Sequence, residues 1–415
     1  MNTLKHATYR LLRKSERYFK TDMVYVARGG FWVTAGNIVS ALAAFGLAVA
    51  YANLLPKESY GTYKYILSLA GIIGAFSLTG LAPALVTAIA KGFDGSLRHA
   101  FKTILRWGTA IFMISILGAV YYLINENYTL AISLAIVGVT LPIIHSAGLA
   151  GAFFNGKKDF KTSAIAGIIM TTVVAAAVIV TAMFTHNPAI LIFAYFLSTA
   201  AVSLSIYLWT LRTHKPCGSV DKNFVSFGKH LSLTSVLETV SEHLDKVLVF
   251  HYLGAAQLAV YTFALAIPNQ MNAVAKGIKS ITLPKLSEKD IGALRDGIKA
   301  KTLRLFFIFL SITITYIIGA PYIYQLLFPQ YMESVLYSQI LSITLLVSST
   351  MLIAQMFVAH GKTKEIYINK ISSDALKIIL LLTLLPFFGI WGAVFVVLFN
   401  RLFSVLMMYI LYRRM

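Results

Sequence analysis

One cysteine in 415 residues, Cys217, leaves nothing for an internal disulfide framework or a cysteine-based zinc site. Acidic side chains are scarce too: 16 Asp and Glu stand against 36 Lys and Arg, a formal net charge of +20. All charged residues together make up 13% of the chain, about half the share that a soluble domain uses to cover its surface. There is no HExxH, no Walker loop and no GxSxG, and the nine histidines show no ligand spacing. Neither an enzyme nor a metal or cofactor site is therefore expected. What fills the chain is 58% hydrophobic and 13% aromatic, with a mean hydropathy of +0.75. That excludes disorder and points to a polytopic membrane protein.

A bilayer core takes about 20 mainly apolar residues per helix. By that measure the sequence predicts twelve spans. The first six lie near 29–52, 63–90, 103–124, 129–153, 163–184 and 188–211, the second six near 224–252, 256–283, 303–327, 333–358, 367–388 and 390–412. Runs such as Ile168–Val180 are apolar on every face, which excludes the alternation of a β-barrel. No cleavable signal peptide is visible, because the apolar stretch begins only near Gly29 and continues to spanning length. With the N-terminus placed in the cytoplasm, the inside segments hold 31 of the 36 basic residues. The other five are Lys57 in an outside loop and Lys64, Lys246, Lys377 and Arg401 within or at the edges of spans. This bias predicts an even span count with both termini cytoplasmic. The positive charge is then a matter of topology and of anionic lipid headgroups rather than of nucleic acid. The basic segment 1–28, interleaved with Leu4, Leu11, Leu12, Tyr18 and Phe19, suits a helix lying on the inner membrane surface.

The two halves repeat at an offset of 198 residues. Gly30 falls on Gly228, Leu55–Tyr63 on Leu253–Tyr261 without gaps, and Leu85 on Leu283. Six spans separate equivalent points, so the repeat is parallel, with its axis along the membrane normal and a cavity between the lobes. The expected fold is all-α: twelve transmembrane helices in two six-helix lobes around a central cavity. The lobes occupy 29–211 and 224–415, joined by a cytoplasmic linker at 212–223 that contains Lys215-Pro216-Cys217-Gly218-Ser219. Two such lobes form an alternating-access plan; a channel more often shows fewer spans or a re-entrant filter.

Ionisable groups at bilayer depth are site candidates by default. Span seven carries Ser235, Glu238, Glu242 and Asp245 at spacings of 3, 4 and 3, one above another on one helical face, with His243 and Lys246 adjacent. This set suits either a cavity lining that takes up H+ or Na+ or a neutralised packing cluster, although one lysine cannot balance three carboxylates. Arg401, after Asn400 in span twelve, suits an anionic group or a structural pairing with Asp374 and Lys377 of span eleven. Arg28, Lys276 and Lys279 read as positive-inside anchors or as contacts to a substrate phosphate, and Lys64 as a snorkelling lysine. His145, close after Pro142 in span four, reads as a packing histidine. Pro268 is expected to break the regular hydrogen bonding of span eight, bending the helix for a rocking motion or only shaping the cavity. Asn127-Tyr128-Thr129 matches a glycosylation sequon in a turn too short to use it.

Ala52-Asn-Leu-Leu-Pro-Lys-Glu-Ser-Tyr-Gly-Thr-Tyr63 resembles the segment that polysaccharide flippases carry between their first two spans. Leu244–Gly254 with Val260-Tyr261 resembles its companion in the second half, and Gly80–Leu85 and Ile281–Leu286 extend the likeness. The chain is thus similar to the polysaccharide transport branch, including Wzx-type O-antigen flippases, of the multidrug/oligosaccharidyl-lipid/polysaccharide exporter superfamily. The resemblance implies V-shaped lobes in an inner (plasma) membrane. It implies movement of polyprenyl-pyrophosphate-linked oligosaccharide from the inner to the outer leaflet, with membrane lipids and the glycan polymerase and chain-length machinery as partners. It also implies cationic cavity residues, for which Arg28, Lys276 and Arg401 are candidates, and it includes the Asp245-Lys246 pair. Two alternatives stand beside this reading: a cation-coupled drug exporter of the same superfamily, its acidic face binding cationic drugs, and a polytopic glycan polymerase or ligase, against which the short external connections speak.

Overall fold

The computed structural model describes residues 23–216, 218–287, 291–359 and 362–413, and the side chains of 30–216, 218–272, 300–357, 362 and 364–412. The expected surface helix therefore lies outside the described residues, apart from 23–28, which are the start of span one. Twelve spans follow in order. The first six are Met23–Leu54, the pair Lys57–Gly74 and Leu81–Ala90, Ser96–Ile124, the pair Tyr128–Ala147 and Leu149–Gly156, Phe160–Phe184 and Pro188–His214. The seventh to ninth are Phe224–Leu253, Ala255–Ser287 and Ile291–Leu327. The tenth is built from Ser334–Ser342, Thr344–Val347 and Met351–Ala359.

The run Thr363–Arg413 supplies the last two spans, because Gly389, at φ 56° and ψ −139°, turns the chain back. Asn369 Nδ2 donates to Ser404 Oγ at 3.1 Å, whereas a straight helix would hold these residues about 50 Å apart at 1.5 Å per residue. The turns after spans one, three, five, seven, nine and eleven mark one end of the bundle, here the lysine-poor end; the other is the basic end. The repeat shows in the helix ends: span one stops at Leu54 and span seven at Leu253, while spans two and eight open at Lys57 and Ala255.

Span eight continues as helix through Pro268, whose ring leaves no N–H to complete the regular hydrogen bonding there. One sequence expectation, an unbroken span two, is corrected. Span two breaks over 75–80, just ahead of Pro83, which has no N–H to offer the Thr79 carbonyl, and Leu78 adopts a positive φ of 58°. Backbone freed at membrane depth must find partners inside the protein, and side chains of other spans supply them. Trp107 Nε1 donates to the Phe76 carbonyl at 2.8 Å, and the Gly80 amide donates to Ser232 Oγ at 3.0 Å. Thr79 and Ser235 hydroxyls meet at 3.0 Å, and Ser77 Oγ meets His145 Nδ1 at 3.0 Å. His145 is thus the packing histidine of the break. Asn127 caps its own helix by accepting from the Leu130 amide.

Spans two and seven run antiparallel along the interlobe seam, touching at Tyr65–Phe250 (rings stacked at 3.9 Å), Gly71–His243 and Gly80–Gly228. A Cβ on Gly80 would lie 2.5 Å from the Gly228 carbonyl oxygen, so close backbone approach, rather than a left-handed turn, explains this glycine. Neither span is among the eight segments of the described chain that are long and apolar enough to cross a membrane by composition. The polarity belongs to the seam.

Candidate functional site

At the lysine-poor end the lobes are closed by aromatic packing. Tyr60 of span two stacks near Phe263 of span eight (4.8 Å), which lies 3.9 Å from Tyr331 after span nine. Phe45 meets Phe328 at 6.2 Å. Polar contacts frame the plug: Asn53 Nδ2 donates to the Leu327 carbonyl at 3.1 Å, and Lys57 pairs with Glu333 at 2.8 Å. Gly61 lies so close to Ala255 that a Cβ would collide with its carbonyl. Span one meets the second lobe here, while its other end packs on span five through Gly36–Ala164 and Ser40–Thr171.

Beneath this plug the seam turns cationic. Lys64 lies one turn past Tyr60, its Nζ at 5.3 Å from the Tyr60 ring and at 6.0 Å from the rings of Tyr51 and Tyr63. Three electron-rich faces stabilise a cation that has no carboxylate within ion-pair distance among the described residues. Lys64 does not snorkel outward; it points at the seam, where its charge meets that of Lys246. Lys246 and Arg401 in turn lie within electrostatic reach of Lys377. At 1.5 Å per residue from the helix ends, Lys64 and Lys246 sit about 10 Å deep, and Lys377 and Arg401 about 18 Å deep. The two outer cations come from opposite lobes.

The carboxylates of span seven separate in space. Asp245 is buried, accepting from Tyr261 Oη at 2.9 Å and from the Lys246 amide at 2.8 Å, with Lys246 Nζ at 3.3 Å. Glu238 is exposed and ion-paired with Lys370 of span eleven. Glu242 is exposed; Lys246 Nζ takes its carbonyl at 3.2 Å rather than its carboxylate. Lys377 donates to the Ser241 carbonyl, tying span eleven to span seven. Asp374, half-buried, lies near Ser241 and Glu238. Arg401 is exposed and makes no ion pair among the described residues. His243 Nδ1, Ser373 Oγ and Asn400 Oδ1 are buried without a hydrogen-bond partner among those residues.

Of the sequence candidates, Arg401, Lys246, Glu242, Glu238 and Asp245 share this region. The side chains of Arg28 and Lys276 lie outside the described residues. Lys64, given no binding role from sequence, joins the group. The missed signal was subtraction. Removing the 31 topological cations leaves five: four gather in the seam, and the fifth, Lys57, ties the plug.

Two helical lobes around a polar seam are also the fold of solved transporters of the MOP superfamily. The fold matches an outward-facing multidrug resistance MATE family transporter at TM-score 0.67 and 17% identity, covering 94% of both chains. It matches an inward-facing one at 0.68 and 15%, over 90% of this chain and 94% of that one. A third match is a MOP superfamily transporter from Pyrococcus furiosus, described as having a binding pocket of reverse polarity, at 0.61 and 16%, over 94% and 95%. Residues 26–288 match the polysaccharide biosynthesis protein family; the chain belongs to that family. No curated protein matches it.

Proposed function

We propose that the protein flips a polyprenyl-pyrophosphate-linked oligosaccharide from the inner to the outer leaflet of the cell membrane by alternating access, with the basic end in the cytoplasm. The observation that carries this reading is the gathering of Lys64, Lys246, Lys377 and Arg401 below a closed aromatic plug. A pyrophosphate cannot enter hydrocarbon unaided, and cations at two depths offer it successive partners, with guanidinium suited to phosphate oxygens. The polyprenyl tail stays in lipid while the head moves between lobes. Glu242, exposed and outside any ion pair among the described residues, is the carboxylate best placed to take up H+ or Na+. Such coupling requires that ion and substrate bind the two states unequally.

The test is reconstitution into liposomes that carry a lipid-linked oligosaccharide, with leaflet position read by an impermeant glycosidase. Protein-dependent transfer, enhanced by an H+ or Na+ gradient and lost in Lys377→Ala and Arg401→Ala, is the expected result. Transport of a cationic dye without glycan transfer would replace the flippase by a drug exporter.

A further inference from the structure

Away from the central seam, the basic end carries a groove of about 400 Å³ lined by Thr103, Arg106, Trp107, Thr109, Ala110 and Lys229. It is built from both lobes: span three supplies five of these residues, and the first turns of span seven supply Lys229. Arg106 and Lys229 are exposed, and neither has a carboxylate within ion-pair distance among the described residues. The ammonium of Lys229 lies 5.7 Å from the Trp107 ring. Counted from Ile124, Arg106 sits about 27 Å from the lysine-poor end, which is the far edge of a hydrocarbon core about 30 Å thick. Trp107 has the amphipathic character of an interfacial anchor. Leu105 is 41% exposed and Phe76 is 44% exposed beside it. Leu233, one turn above Lys229 on the same helical face, is 75% exposed. Two unpaired cations at headgroup depth, with apolar surface above them, have the chemistry of an anionic phospholipid: phosphate below, acyl chains along the helices.

We propose that this groove binds the phosphate headgroup of an anionic bilayer phospholipid, which bridges Arg106 of one lobe and Lys229 of the other. The position makes the lipid a brake on lobe separation. Trp107, which lines the groove, also donates to Phe76 at the break of span two. That break is itself bonded to span seven at Ser232 and Ser235. A headgroup held across both lobes therefore favours the state in which this part of the seam is closed. The inference stands whatever substrate crosses the centre.

The test uses the full chain in detergent, titrated with phosphatidylglycerol or phosphatidylcholine and read by native mass spectrometry. Phosphatidylglycerol is expected to be retained in preference. Arg106→Gln with Lys229→Gln should weaken that retention about thirtyfold, since each cation near an anionic surface contributes roughly fivefold. Arg106→Lys with Lys229→Arg should keep it. Lys229→Gln alone, on an exposed side chain, gives a fivefold version of the test in a variant that folds normally. Equal retention of the two lipids, or an unchanged affinity in Lys229→Gln, would overturn the proposal. So would displacement by inorganic phosphate at the lipid's own concentration, which assigns a free-anion site. Displacement by polyprenyl phosphate far below that concentration would overturn it in favour of a substrate entry site.

Discussion

At the residue scale, charge divides into groups that hold the fold and groups that are free to act. Asp245 belongs to the first. Its oxygens are taken by Tyr261, the Lys246 amide and the Lys246 ammonium, so Asp245→Asn leaves the partly exposed Lys246 without its counter-charge. Removing one member of a fully buried pair costs about 3–5 kcal/mol, and the solvent at Lys246 lowers that here; a fall in melting temperature in detergent is expected, with a smaller fall for Tyr261→Phe. Lys64 behaves differently. Its cation is held by ring faces alone, so Lys64→Met should leave thermal stability unchanged or raised, while glycan transfer falls at least tenfold. A parallel loss of stability and transfer would reassign Lys64 to packing. The sequence made Asp245 and Glu238 look equivalent, because a spacing of seven places both on one helical face. It could not show that Tyr261 reaches one and Lys370 the other, since those partners come from spans eight and eleven. For the same reason the tyrosine cage of Lys64 was invisible: Tyr51 is supplied by a different helix.

At the element scale, the helix ends and breaks set what can move. Apolar length alone marks eight segments of the described chain; the alternation of basic and lysine-poor turns was needed to count twelve spans. The break in span two escaped that reading. Pro83 withholds the N–H that a continuous helix would give the Thr79 carbonyl, a signal the sequence did carry, and the break is bonded by Trp107, Ser232, Ser235 and His145. Two substitutions test the elements. Gly61→Ala introduces a collision with Ala255 where spans two and eight touch, so the aromatic plug should fail to close. In a Cys217→Ser background with Lys64→Cys as reporter, labelling by an impermeant maleimide from the lysine-poor side should rise several-fold. Unchanged labelling would mean that the plug is not the barrier. Gly389→Ala places a Cβ on a backbone region that essentially only glycine occupies, a strain of about 1–3 kcal/mol. A lower melting temperature with unchanged topology is expected.

At the scale of the whole molecule, the lobes are joined by a polar seam closed at the lysine-poor end and lined with cations beneath the closure. The contacts there include one partly exposed ion pair, Lys57–Glu333, of a kind worth about 0.2–1 kcal/mol. Binding at the cationic group can outweigh such a closure only if it favours the open state by more than that. Composition made the membrane class legible. The chemistry of the seam became legible only when the lobes were seen together. The direct test is the leaflet distribution of lipid-linked oligosaccharide in cells lacking the gene, complemented with the wild-type chain or with Lys64→Met, Lys377→Ala and Arg401→Ala combined. The account predicts accumulation on the cytoplasmic leaflet, relieved by the wild type and not by the triple variant at equal abundance. Relief by the triple variant would contradict the assignment of the cationic seam, and no accumulation in the deletion would contradict the flippase itself.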